Sequence, residues 1–274
     1  MPTLISKEAV ERRKFWVERI SQLSGNFIED TKKLEQELEN EINITNYLNL
    51  IDHLRLCGNI PECYKNSSSE EKLYSKYTDC LLSISYNMLG LKSFVLQERS
   101  DSADVEVFAN KYNFVADAKS FRLGRTAKNQ KDFKIQAMDV WKRGKPYAMV
   151  VCPIHQLPNT SSQIYQQATA RNVCIFTYSH LSLLLNFSNI CGKDKAQELL
   201  EIIFKVIPAL NPSKDANNYW LAINKTILSF SKEIDPLWKI EKEASIASIL
   251  IIFYPSNFSN GNTSMAFQFR KVHH

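Results

Sequence analysis

No two cysteines in this chain stand in a Cys-x-x-Cys pair. The six that occur (Cys57, Cys63, Cys80, Cys152, Cys174 and Cys191) are scattered, several inside apolar runs such as YAMVVCP and VCIFTY. That spacing argues against a disulfide framework or a structural zinc site and for reduced, buried thiols. Glycine is scarce, at 7 of 274 residues, and no stretch rich in Gly, Ser or Pro cuts the chain. No internal repeat is visible either, so one domain with helical additions is expected. Long apolar runs are also missing. The longest, IASILIIFY near residue 250, is too short to span a bilayer. The opening MPTLISKEAVERRK lacks the apolar core of a signal peptide. A cytoplasmic protein fits these absences.

What is present is an ordinary globular composition, 44% apolar and 23% charged, long enough to bury a real core. Residues 1–90 read as mostly helical. SKEAVERRKFWVERISQL and the stretch from Thr45 to Leu56 carry apolar residues at three and four spacing. A further helix opens on a capping box, Ser68 followed by Glu71, and stops at Gly90. Residues 91–180 read as an α/β core. SFVLQE, DVEVFA, FVADAKS, YAMVVCP and VCIFTY have strand character and alternate with helix-like NQKDFKIQAMDVWKRG and SSQIYQQATARN. Residues 181–274 turn mostly helical again. The expected fold class is mixed α/β (α+β), a central mixed sheet flanked by helices with helical additions at both ends.

Charge is unevenly placed. The formal net charge is +5, and residues 111–134 alone set seven cations (Lys111, Lys119, Arg122, Arg125, Lys128, Lys131 and Lys134) against Asp117 and Asp132. EDTKKLEQELENE, from Glu29 to Glu41, is acidic by contrast. A polyanion would meet the middle of the chain and avoid that helix. The bland alternative is a solvated basic face. Within the basic run, Arg125 and Asn129 have the chemistry for guanine and adenine edges and Gly124 permits a close turn. Arg122, Thr126, Lys128 and Lys131 are further candidates for contacts with DNA, the lysines suiting phosphates.

FVADAKSF poses the sharper question, since a strand headed for the core carries Asp117 and Lys119. Side chains alternate along a strand, so these two charges share a face. Asp104 heads the preceding strand-like run, and NKYN between the runs has turn composition, so a hairpin can return Asp104 towards Asp117. Two carboxylates and an ammonium gathered at a sheet edge pack poorly unless they are paired or hold a cation. Asp104, Asp117 and the main-chain carbonyl of Ala118 offer the oxygen ligands that Mg²⁺ prefers. Lys119 can orient a water or stabilise charge on a phosphate. Histidine and cysteine are absent from the group, which argues against a zinc hydrolase or a thiol nucleophile. A structural salt bridge is the competing reading.

The stretch VADAKSFRLGRTAKNQKDFK resembles the corresponding segment of HindIII-type type II restriction endonucleases, as do SSEEKLYSK upstream and DANNYW downstream. The likeness covers roughly Glu70 to His180. It implies the restriction-endonuclease-like PD-(D/E)xK fold with Asp104, Asp117 and Lys119 as the nuclease triad. Ala103 stands where the family pattern has a proline before the first acid. Glu71 corresponds to the helix-borne acid of many such nucleases, its alternative being a simple capping-box glutamate. The resemblance further implies Mg²⁺-dependent cleavage of both strands of double-stranded DNA at a palindrome, AAGCTT with 5′ overhangs. A homodimer and a cognate methyltransferase are implied with it. The rivals are a junction-resolvase-like nuclease and a DNA-binding regulator with a retired site, the second disfavoured by three intact and costly charges. Glu98 is a weaker candidate for the site, and His155 and His180 read as structural polar residues.

Overall fold

In the computed structural model, which describes residues 4–23, 25–45, 47–96, 102–124 and 130–253, five strands form one sheet in the order β1-β2-β3-β4-β5. These are β1 (Lys92–Val95), β2 (Val105–Phe108), β3 (Asn113–Ala118), β4 (Tyr147–Cys152) and β5 (Val173–Thr177). The first three are antiparallel neighbours and the last three parallel. That change of sense follows from the connections. The Asn-rich turn before β3 closes a hairpin, whereas each parallel step needs a helical crossover. These crossovers are α5 (Gln130–Phe133) with α6 (Ile135–Trp141), then α7 (Gln163–Ala170). β4 and β5 are almost wholly buried, as expected of parallel strands covered on both faces, and read as continuous apolar runs.

Four helices precede the sheet: α1 (Lys7–Gln22), α2 (Phe27–Thr45), α3 (Tyr47–Leu56) and α4 (Ser69–Met88). The expected Ser68 cap forms, its hydroxyl accepting from the Glu71 N–H. α4 is buried along most of its length because it packs against β1, β2 and β3 on one side and α2, α3 and α8 on others. After β5 come α8 (Tyr178–Cys191), α9 (Lys193–Val206), α10 (Ala216–Phe230) and α11 (Ile234–Phe253). Phe204 of α9 packs on Phe114 and stacks on Tyr147, sealing the start of β3 and β4. The mixed α/β architecture read from the sequence is what forms. Two details differ from expectation. β3 lies in the middle of the sheet and not at an edge. And although all six thiols are free, Cys63 is exposed, because it sits in the loop after α3. Among the described residues no helix is long and apolar enough to cross a membrane.

His180 is structural, as its sequence context suggests. Its ring stacks with Phe176, Trp220 and Trp238, with Nε2 3.2 Å from Asn224 Oδ1 and Nδ1 2.6 Å from Thr177 Oγ1. Burial pushes its pKa down to about 4, the Asn224 contact opposing. The unfolded chain, with an ordinary histidine, takes up the proton first as pH falls. Stability is therefore full above about pH 6.5 and is lost as pH drops towards 4. Urea unfolding between pH 7.5 and 4.5 should show up to about 3 kcal/mol of loss from this group, and His180→Gln should flatten the dependence. An equal slope in the variant would assign the effect elsewhere.

Candidate active site

The end of β3 is held from several directions, which fixes what its last side chains can reach. Lys119 N–H donates to Val151 O at 2.7 Å, and the Tyr178 hydroxyl donates to Lys119 O at 3.1 Å. Ser120 donates to Cys57 O at 3.0 Å, and Phe121 exchanges backbone bonds with Gly58 and Ile60. Gly58 is required in this clamp, since a Cβ there would stand 2.6 Å from Pro153 Cγ. The antiparallel register Val105↔Ala116 places Asp104, one residue before β2, opposite Asp117. The hairpin therefore brings the two carboxylates together as the sequence spacing suggests. Lys119 Nζ bonds directly to Asp117 Oδ2. Because the Lys119 N–H points at β4, the carbonyl of Ala118 faces the β2 side, where Asp104 stands.

A third acid comes from α4. One oxygen from each of Asp79, Asp104 and Asp117 lies within 4.8 Å of the others, and Lys76 Nζ sits 3.1 Å from both Asp79 Oδ2 and Asp104 Oδ1. Asp79 and Asp117 are buried, at 2% and 1% exposure, while the Asp104 side chain is 31% exposed and marks the open side. When all five groups are ionised, three carboxylates face two ammonium groups, leaving a negative balance inside the protein.

Burial pushes the Asp117 carboxyl up, with Asp104 adding to it and the Lys119 ammonium opposing. Burial likewise drives Asp79 well above the usual carboxylate range, Asp104 reinforcing it and Lys76 resisting. For Asp104 burial is outweighed by Lys76, by a hydrogen bond from Asp117 and by Lys119, and its carboxyl falls below the ordinary value. Lys119 is held above its usual value because Asp117 more than offsets its burial. Burial and the crowding of three acids therefore oppose full ionisation of Asp79 and Asp117, and the two lysines favour it. Carboxylates in this number, without imidazole or thiolate, fit a hard divalent cation, whose charge would offset their repulsion.

Other sequence candidates lie elsewhere. The structure does not bring Glu71 to the acids. Its carboxylate accepts from the Ser67 N–H, one residue before the Ser68 cap, at 2.8 Å and from Arg122 at 3.1 Å, so it closes over the start of α4. Asp79, eight residues further along α4 and about 12 Å up the axis, is the α4 acid that lies with Asp104 and Asp117. Arg122, expected on DNA, has its guanidinium bonded to Glu62, to Tyr64 O and to Glu71, which makes it a brace between the loop and α4. Arg125, Thr126, Lys128, Asn129 and Glu98 lie outside the described residues, as does the Lys131 side chain. His155 contacts Asn59 at 3.2 Å, away from the acids. Asp79 and Lys76 were not singled out from sequence. Their signal is a lysine and an aspartate one helical turn apart on a helix that packs beside the hairpin.

The family model described as HindIII restriction endonuclease matches residues 13–253. The chain is also 34% identical, over 245 residues, to the type II restriction enzyme HindIII of Haemophilus influenzae, covering 87% of this chain and 76% of that protein.

Proposed function

The chain belongs to the HindIII restriction endonuclease family and is a site-specific deoxyribonuclease acting on DNA, and from that premise we propose the following activity. It hydrolyses both strands of the double-stranded palindrome AAGCTT, leaving 5′ overhangs, with Mg²⁺ as its cation. It works as a homodimer whose two-fold axis matches that of the palindrome, in the cytoplasm, alongside a methyltransferase that protects the same sites. All 274 residues belong to a single domain. The observation that carries this reading is the convergence of Asp79, Asp104 and Asp117 beside Lys119.

Asp104 and Asp117, with the carbonyl of Ala118, would hold the cation, and Asp79 would supply the helix-borne acid in place of Glu71. When bound, the ion would polarise the phosphate and offset the charge that develops on it. Lys119, fixed through Asp117 and through both of its backbone bonds, presents its ammonium where it orients the attacking water or meets developing negative charge. The buried walls exclude bulk water, and the exposed side of Asp104 admits the phosphate. Arg125, Thr126, Lys128, Asn129 and Lys131 face the DNA in this reading. Digestion of a sequenced plasmid in Mg²⁺ and in Ca²⁺ tests it. Discrete fragments ending at AAGCTT in Mg²⁺ support it, and cutting confined to branched DNA favours a junction resolvase. Binding without cutting in either ion favours a regulator.

Specificity separates the residues of the basic run. Asn129→Ala should lose discrimination between AAGCTT and one-base variants by about 1–3 kcal/mol per lost bidentate contact. Lys131→Ala should weaken all sites alike and lower the salt dependence of binding. Competition binding in Ca²⁺ against a panel of one-base variants measures both, and uniform loss for Asn129→Ala would remove it from the base-reading set.

A further inference from the structure

Lys76 stands between the two acids that frame the open side of the site. Its ammonium is 3.1 Å from Asp79 Oδ2 and 3.1 Å from Asp104 Oδ1, within the space a divalent cation would need. Without it, three carboxylates would share Lys119 alone in a poorly solvated setting, and the metal-free protein would carry the repulsion. With it, an arriving divalent ion meets a cation already in place. The two compete for the same carboxylates, since the ammonium already uses an oxygen of Asp79 and one of Asp104 that the ion would need, and their like charge adds to the competition.

The structure also offers somewhere for Lys76 to go. A cavity of about 380 Å³ opens beside it, lined among others by Thr31, Glu35, Lys72, Leu96 and Asp104. Glu35 sits in that cavity and has neither a hydrogen bond nor an ion pair among the described residues. Burial pushes its carboxyl up, Glu39 adds to this, and Lys76 opposes it. A half-buried acid with no ion pair among the described residues, in the same cavity as a lysine on a flexible four-carbon stem, makes an alternative seat.

We propose that Lys76 is a displaceable internal counter-ion: its ammonium occupies the Asp79–Asp104 side of the cation position in the metal-free protein and crosses to Glu35 when a divalent ion binds. This rests on the cation-site reading given under Proposed function. Lys76 is in this account a positioning residue that sets the affinity and selectivity of the site for its ion, and it takes no part in bond breaking.

Calorimetric titration of the full chain with Ca²⁺, without DNA, tests it. Lys76→Met should bind Ca²⁺ about tenfold tighter or more than wild type. Its metal-free form should melt at lower temperature, with a larger rise on adding Ca²⁺ than wild type shows. Glu35→Gln should weaken Ca²⁺ binding severalfold when Lys76 is present and have little effect in the Lys76→Met background, a coupling that independent sites would not show. A lysine with only a structural role would lower the melting temperature without tightening the ion. Lys76→Gln repeats the measurement if the methionine variant does not fold. Equal or weaker Ca²⁺ affinity in a folded variant overturns the proposal. Asp117→Asn separates the two levels. If it binds Ca²⁺ as wild type does, the cation-site reading fails and this inference falls with it. If it abolishes binding while Lys76→Met is no tighter, only the role of Lys76 is refuted.

Discussion

Asp117→Ala is expected to reduce cleavage of a cognate duplex by a factor on the order of a thousand or more, while leaving binding in Ca²⁺-free buffer largely intact. Asp117 is the most buried of the three acids and the one bonded to Lys119, so its removal disturbs both cation binding and the position of the ammonium. Losing a single preorganised electrostatic group at a reacting centre already costs on the order of 100- to 1000-fold, and here two functions are lost together. In the proposed reading DNA affinity rests on the basic run of residues 122–131, which the substitution does not alter. Lys119→Ala should behave similarly. Asp117→Asn, nearly isosteric, keeps a partner for the lysine and guards against misreading a folding defect, provided its melting temperature stays close to that of wild type. Single-turnover cleavage within about tenfold of wild type in a folded variant would remove Asp117 from the reacting centre.

Arg55→Ala should be the most destabilising truncation away from the site, costing about 3–5 kcal/mol. Arg55, near the end of α3, donates from Nη2 to Glu241 Oε1 at 2.5 Å and from Nε to Oε2 at 3.1 Å, and Nη1 reaches Leu4 O at 3.1 Å. Glu241 is 1% exposed and accepts one further bond, from Asn186 Nδ2 at 3.2 Å. Burial pushes the Glu241 carboxyl up and Arg55 counteracts it. Truncating the arginine leaves that acid buried with a single weak donor. It also loosens the join between the N-terminal segment, α3 and α11. Denaturant unfolding should therefore show one earlier transition, not the melting of a separate C-terminal part. Replacing both partners by apolar residues, Arg55→Met with Glu241→Leu, should recover much of the loss. A cost below about 1 kcal/mol would place the pair in the class of solvent-screened ion pairs.

The hairpin that carries the site was legible because its signals are local. FVADAKSF alternates, NKYN turns, and the spacing of Asp104 and Asp117 fits a short antiparallel return, which the Val105↔Ala116 register bears out. The α4 start was legible for the same reason, since the Ser68 cap is settled within one turn. What could not be read was which acid of α4 reaches the sheet. Glu71 and Asp79 both lie on that helix, and only the packing of α4 against β1, β2 and β3 decides between them. Glu71 was attracted to its own cap and to Arg122, while Asp79, in the unremarkable context KYTDCLL, was carried over the hairpin. The partners of Arg122 were equally hidden, since chain neighbours do not reveal that Glu62, Tyr64 and Glu71 lie within its reach. For Lys76 the sequence offers only its one-turn spacing from Asp79, because an internal counter-ion is defined by the carboxylates that surround it.

The most direct test of the central claim is anomalous diffraction from crystals of the full chain bound to a duplex containing AAGCTT and soaked with Mn²⁺. The account predicts a manganese peak bounded by the carboxylates of Asp79, Asp104 and Asp117, beside the phosphate to be cleaved and within reach of Lys119. A peak held by other residues in crystals that cleave their DNA, with these three acids still paired only to Lys76 and Lys119, would contradict it.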